Sequence, residues 1–188
     1  MKNFRLVAAA LTAGLIAAAG GAQAEVQKFM NTCDGKLCPS YQLVLTPPPG
    51  WVIDKAASAK HHVQIMVPEG KNFNSAPALM YVQVFSHADK QQSLANFASV
   101  SNERWKAHVT DAKVIELAAV ERANGKPGYL RFAFDNPSKS QQGYEFGAFG
   151  IDSDKDGNEF VLDVVMTGAS KAALDKAEKD YIAFLKAY

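Results

Sequence analysis

The sequence predicts an α+β fold: an α-β-α sandwich with a central, mostly antiparallel sheet and two main amphipathic helices. Three observations carry that expectation. Apolar residues alternate at period two along most of the chain, and the period lengthens to three and four residues in only two stretches. Strand-like segments therefore outnumber helical ones too heavily for the strand–helix alternation of a doubly wound fold. Composition agrees: 188 residues, 48% hydrophobic and 10% aromatic, can fill one core, and this is neither a disordered chain nor a dense disulfide scaffold.

The first 24 residues read as an address rather than as part of the domain. Met1-Lys2-Asn3-Phe4-Arg5 is a short cationic start, and Leu6 to Ala19 is an apolar run interrupted only by Thr12 and Gly14. Gly20-Gly21 breaks it, and Ala22-Gln23-Ala24 offers small residues where a signal peptidase reads. Residues 1–24 are thus expected to be a secretory signal peptide, cleaved after Ala24. The apolar run is shorter than the roughly 20 residues that span a bilayer. No Lys/Arg stop-transfer cluster follows it, so no stable membrane insertion is expected after cleavage. The mature chain is expected in the periplasm, or secreted. Removing Lys2 and Arg5 with no acid turns the formal charge from +1 to −1. Neither value, nor the scatter of Lys and Arg along the chain, supports nucleic-acid binding.

Residues 25–40 are expected to be an N-terminal arm held by a disulfide, and residues 41–188 a single α+β domain. Cys33 and Cys38 flank Asp34-Gly35-Lys36-Leu37, and Asp-Gly favours a tight turn that would bring the two sulfurs together. In an oxidising compartment the pair should form a disulfide, contributing roughly 2 kcal/mol through a loop this short. A redox couple would have a spacing of two residues, and a zinc site needs more ligands than two thiols.

Tyr41 to Thr46 alternates as a half-buried strand does, and Pro47-Pro48-Pro49-Gly50 stops it because proline cannot donate to a ladder. Trp51-Val52-Ile53 begins a short apolar segment. His61 to Val67 places Val63, Ile65 and Val67 on one face, and Ala78 to Ser86 is apolar on both. From Ser93 to Val109, Leu94, Phe97, Ala98, Trp105 and Val109 recur at helical steps, with Asp89 or Ser93 available as a cap. Strand signals return at Lys113–Arg122, and Asn124-Gly125-Lys126-Pro127-Gly128 is a dense turn cluster. Tyr129 to Phe134, the aromatic run Tyr144, Phe146 and Phe149, and Phe160 to Met166 are further strands. Ser170 to Tyr188 closes the chain as an amphipathic helix with Leu174, Ala177, Tyr181, Phe184 and Leu185 on one stripe.

This order resembles the PsbP/Mog1-like family. The resemblance rests on the opening strand, the Pro49-Gly50-Trp51 turn, the four-strand–helix–four-strand–helix order, and the late hairpin Gly143–Phe149 with Asn158–Thr167 before a closing helix. It implies an α-β-α sandwich around an antiparallel sheet. It also implies a non-enzymatic accessory or binding role, with no shared catalytic motif to carry over. An envelope protein or a small ligand is the expected partner.

Asp152-Ser153-Asp154-Lys155-Asp156-Gly157-Asn158 reproduces the oxygen spacing of a calcium loop, with Asp163 in twelfth place. Its flanks read as strands and Glu159 stands where such loops place an apolar residue, so a solvated hairpin turn at Asp156-Gly157 is the expectation. A calcium-responsive module through Asp152, Asp154 and Asp156 is the alternative. His61, His62, His87 and His108 are expected to be surface residues, since neighbours on a strand point to opposite faces and no chelating spacing occurs. Neither a Gly-x-Ser-x-Gly elbow nor a Ser-x-x-Lys nor a His-Glu-x-x-His motif is present. A secreted hydrolase could only assemble its site from distant residues. No catalytic, cofactor-binding or metal-ligating residue is therefore nominated, and no cofactor is expected.

Overall fold

The computed structural model describes residues 25–188 apart from 88–91, 110, 124 and 137–142. The signal-peptide segment, the Asp89 cap and Asn124 lie outside the described residues. Glycine and proline punctuation divides the rest as alternation suggests. Strands β1 (Glu25–Cys33) and β2 (Lys36–Val44) come first, then β3 (Trp51–Ile53), helix α1 (Lys55–His61), β4 (Gln64–Pro68) and β5 (Ala78–Ser86). Helix α2 (Leu94–His108), strands β6 (Lys113–Val120), β7 (Tyr129–Asp135), β8 (Tyr144–Ser153) and β9 (Glu159–Gly168), and helix α3 (Lys171–Ala187) complete the chain. Seven strands form one antiparallel sheet in the order β3-β4-β5-β9-β8-β7-β6, and β1-β2 form a separate hairpin. The fold is α+β, and helices cover both faces of the sheet.

Period-two alternation sorts the side chains between those faces. Phe160, Leu162, Val164 and Met166 of β9, with Met80 and Val82 of β5 and Phe146 and Ala148 of β8, face α3. Leu174, Tyr181, Phe184 and Leu185 of α3 pack on them, and Val26 and Leu43 of the hairpin extend the same layer. On the opposite face, Ala57 of α1 covers Ile65, Val67 and Leu79, while Ala98 of α2 covers Phe149 and Val161. Phe97 stacks edge-on against Phe149 at 6.0 Å and Trp105 against Phe134 at 5.0 Å.

Three local expectations change. The expected arm at 25–40 is part of a hairpin that runs on to Val44: β1 and β2 pair from Glu25↔Val44 to Cys33↔Lys36, and Val26 and Leu43 are buried. The turn brings Cys33 and Cys38 to disulfide distance, with Cα atoms 5.8 Å apart. Residues 55–61 form a short helix that period-two reading passes over. Asp54 caps it by accepting from the Ala57 amide at 3.0 Å, and three alanines favour it. The helix ends at His62 with φ 56°, so β4 starts at Gln64 and His61 and His62 belong to a helix terminus. Ser93 does cap α2, its hydroxyl accepting from Asn96 at 3.2 Å.

Two glycines of β8 shape the core. A side chain on Gly150 would put Cβ 2.5 Å from the Tyr129 ring, and one on Gly147 would put it 2.7 Å from Phe134. Bare backbone is thus what lets two aromatic rings lie flat on the sheet.

A buried cation holds the ends of the chain's elements together. Arg122, just past β6, donates from Nε to the Tyr188 carbonyl at 2.5 Å and from Nη1 to the Ile151 carbonyl at 2.8 Å. Its Nη2 reaches the Asp152 carboxylate at 3.2 Å, with both side chains almost wholly buried. Lys126 meets the other Asp152 oxygen at 2.5 Å. Tyr188 in turn ties α3 to the segment after β2, receiving from the Thr46 amide at 2.8 Å and donating to its carbonyl at 2.5 Å. Stranding a buried charge is expensive. Arg122→Ala should lower the unfolding free energy by about 3 kcal/mol in urea titration; a loss below about 1 kcal/mol would mean the pair behaves as a surface contact.

Candidate functional site

The region of the sheet between α1 and α2 carries polar side chains where a covered sheet would carry apolar ones. Strand register places them in rows. Glu145 of β8 lies opposite Thr167 of β9, which lies opposite Leu79 of β5. The next row holds Gly147, Val165 and Tyr81, and the one after it Phe149, Asp163 and Gln83. Alternation aims all of these at the same face.

A groove of about 340 Å³ opens over the first two rows, lined by Val63, Ile65, Phe73 and Leu79 on its apolar side and by Tyr81, Gln83, Glu145 and Thr167 on its polar side. His61 stands at the rim, stacked on Phe73 with ring centres 5.0 Å apart. Asp54 fixes this wall, because its carboxylate caps α1 and also accepts from the Phe73 amide at 2.8 Å. Those backbone amides, Ala57 before Phe73, hold the Asp54 carboxyl below its ordinary range.

Thr167 is the informative residue. It is only 6% exposed, and its hydroxyl has no hydrogen-bond partner although the side chain borders the groove. An unpaired buried hydroxyl costs roughly 1–3 kcal/mol. Other buried polar atoms without a partner occur among the described residues, but their settings differ. Asn102 borders a second groove of about 350 Å³ under α2, lined by Glu103, Lys106 and Glu116, of which Glu103 and Lys106 pair with each other at 2.9 Å. The Tyr129 hydroxyl and Arg131 Nε belong to the layer under α3.

The electrostatics of the first groove are acidic. Burial, and secondarily the Glu145 carboxylate, raise the Asp163 carboxyl from the ordinary range to about 7. Burial, then Glu145 and Asp163, likewise raise the Tyr81 phenol, which keeps its proton at neutral pH. Asp163 is half-buried, and its carboxyl makes no hydrogen bond to a described residue.

The loop singled out from sequence does something else. Asp152 is buried between Arg122 and Lys126, and it belongs to the opposite side of the sheet from Asp163. Asp154 accepts from the Asp156 and Asn158 amides at 2.9 Å and from the Asn158 side chain at 2.8 Å. The Asn158 side chain, foremost among these donors, keeps the Asp154 carboxyl below its usual range. Asp156-Gly157 makes the turn, with Gly157 at φ 79°. The carboxylates of the calcium spacing are thus spent on the turn and on Arg122, and they do not converge. Asp156 stays on the exposed turn.

The histidines divide. His108 is exposed in the last turn of α2 and His61 and His62 end α1, but His87 is buried rather than at the surface. Its Nε2 lies 2.8 Å from the Gln92 carbonyl and its Nδ1 3.6 Å from Glu159. Among the described residues no Ser or Thr hydroxyl is hydrogen-bonded to a histidine side chain. Trp51 is buried, its indole donating to Asp180 of α3 at 3.1 Å. Sequence reasoning missed Tyr81, Glu145, Asp163 and Thr167 as a group. Two acids and a threonine at inward positions of otherwise apolar strands were the available signal.

A carboxyl whose native pKa is raised binds its proton more tightly folded than unfolded. Stability at Asp163 is therefore fullest below the ordinary carboxylate range, and it is lost as pH rises from 3.8 toward about 7. Asp163→Asn should flatten that decline, leaving the variant the more stable of the two at about pH 8 in urea unfolding. Parallel pH profiles for the two proteins would show that Asp163 ionises as it does in water.

No protein-family model and no curated protein matches the chain. Among solved structures it is similar to the Saccharomyces cerevisiae Ran-binding protein Mog1p, with 10% identity over 86% of this chain and 93% of that chain and a TM-score of 0.44. A structure of a Mog1 mutant is similar to the same degree, with 11% identity, the same coverage of 86% and 93%, and a TM-score of 0.44.

Proposed function

We propose that the mature chain is a non-enzymatic binding protein of the bacterial periplasm, or of the secreted fraction, that takes a small ligand in the groove between α1 and α2. The observation that supports this reading is the Thr167 hydroxyl, buried and unpaired at the edge of a groove into which Tyr81, Gln83 and Glu145 also converge. Convergent polar groups on an otherwise apolar concavity are the usual composition of a ligand site. A buried donor left without a partner in the free protein is accounted for if a bound molecule supplies one. The export half of the reading comes from residues 1–24 and their order of cationic, apolar and small residues. Among the described residues no helix is long and apolar enough to cross a membrane. The nearby acid at Asp163 holds its proton up to about neutral pH.

Thr167→Val keeps the shape and removes the hydroxyl. It should stabilise the free protein by about 1 kcal/mol while weakening any ligand of the groove. A small-molecule library read by thermal shift should give hits that vanish when Leu79→Trp fills the groove. Hits that persist in the filled variant, or a Thr167→Val protein that is less stable than its parent, would remove the groove from consideration. Export is tested separately: protein recovered from the periplasm of an expressing bacterium should have the mass of a chain beginning at Glu25. An unprocessed mass would overturn the export assignment and leave the groove untouched.

A further inference from the structure

We propose that the open edge of β6 and the groove beneath α2 form a second site, separate from the groove between α1 and α2, that takes an extended peptide. The peptide backbone continues the sheet beside Lys113–Leu117. One of its side chains carries a carboxamide, as glutamine does, into the groove to meet Asn102.

The way α2 is anchored leaves room there. Phe97 packs on Phe149 and Trp105 on Phe134, which holds the helix over β8 and β7. Its flank toward β6 carries Ala95, Ser99, Asn102 and Lys106 at helical steps, and the first two are too short to reach the sheet. Below them Leu130 and Phe132 of β7, with Val114 and Glu116 of β6, close a groove of about 350 Å³. Asn102 is only 7% exposed, yet its Oδ1 has no hydrogen-bond partner. A buried acceptor left in this state is satisfied by a donor that enters the groove.

The donor arrives on a strand. β6 is the last of the seven strands, and among the described residues its backbone pairs only with β7. Alternate N–H and C=O groups from Lys113 to Leu117 therefore point out of the sheet, where another extended backbone matches their spacing. The opposite edge, β3, is only three residues long. The ladder irregularity of β6 lies between Leu117 and Val120, past the regular stretch. Ile115, in the middle of that stretch, is 54% exposed, and an added strand covers it. Side chains of that strand alternate between Ile115 and α2. A carboxamide aimed at α2 donates to Asn102 Oδ1 and accepts from Asn102 Nδ2, with its stem on Val114, Leu130 and Phe132. Both groups of that pair are neutral, so it does not depend on the charge of Glu116 or of any neighbour.

The probe is the capped peptide acetyl-Ser-Thr-Val-Gln-Val-Thr-Ser-amide, compared by calorimetry with its Leu and Lys versions at the central position. The Gln peptide should bind about 5-fold more tightly than the Leu peptide, the margin of one neutral hydrogen bond, and more tightly than the Lys peptide. It should also slow hydrogen exchange of amides within Lys113–Leu117. N-methylation of one alternate set of peptide residues should abolish binding, and of the other set leave it. Asn102→Leu should erase the advantage of Gln over Leu, with circular dichroism showing the variant folded, and Ser99→Trp should fill the groove and block the peptide. Leu79→Trp should leave peptide binding unchanged, which separates this site from the groove between α1 and α2. Tighter binding of the Leu or Lys peptide would overturn the carboxamide assignment. Equal effects of the two N-methylated sets, or binding without protection of β6, would overturn strand addition. No binding at millimolar peptide would overturn the proposal, as would a dimer in sedimentation that Ile115→Lys dissociates, because the edge would then belong to a second copy.

Discussion

Strand β9 is paired along its length on both sides, with β5 from Ala78↔Gly168 to Ser86↔Phe160 and with β8 from Tyr144↔Gly168 to Ser153↔Glu159. That double pairing is the constraint on which the rest of the molecule depends. It commits Phe160, Leu162, Val164 and Met166 to the layer under α3, and Val161, Asp163, Val165 and Thr167 to the other face. A slip of one residue would exchange the two sets. Asp163 and Thr167 would then be pressed against Tyr181 and Phe184, and four large apolar residues would lose their cover. The cost of that exchange, several buried side chains at roughly 1.5–3 kcal/mol each, fixes the register and with it the groove.

The two faces use polar groups differently. Under α3 the buried charges act as fasteners. Arg122 joins the end of β6, the end of β8 and Tyr188 just past α3, and it lies 4.8 Å from the centre of the Tyr129 ring. Arg131 pairs with Glu178 at 2.8 Å while its guanidinium lies over Phe146 and Tyr181. Tyr181 itself donates to the Val164 carbonyl at 2.7 Å. On the other face, between α1 and α2, the polar groups are not spent on holding helices down. The Thr167 hydroxyl and the Asp163 carboxyl have no hydrogen-bond partner among the described residues, and Thr167 borders a groove.

Much of the fold was readable because alternation is a local property. Ala78 to Ser86 reads as a strand apolar on both sides, and its two sides indeed meet α3 and α1. The aromatic run of β8 divides as period two demands, Tyr144 and Phe146 to one face and Phe149 to the other. Helix α1 was missed for an equally physical reason. Seven residues with a single buried alanine carry no apolar stripe, and only the Asp54 cap marks them. His87 was misplaced because local sequence does not show that the Glu159 end of β9 and the Gln92 carbonyl enclose it. The calcium-like spacing of Asp152, Asp154 and Asp156 misled in the same way. Arg122 is 30 residues from Asp152 in sequence, and its claim on that carboxylate exists only in three dimensions.

By itself the sequence determined the class of fold, the two long helices and most of the strands, the tight turns and the approach of Cys33 to Cys38, all of which follow from periodicity and from the φ preferences of glycine, proline and aspartate. It also wrote the export-like order of residues 1–24. Only the tertiary structure decided which acids meet a cation and which do not, that two helices leave a groove between them, and that Glu145 and Thr167 stand side by side on its floor. The reason is that ladder register couples residues 22 positions apart in this pair. The energy of a carboxyl or hydroxyl depends on that long-range company, which no local pattern encodes.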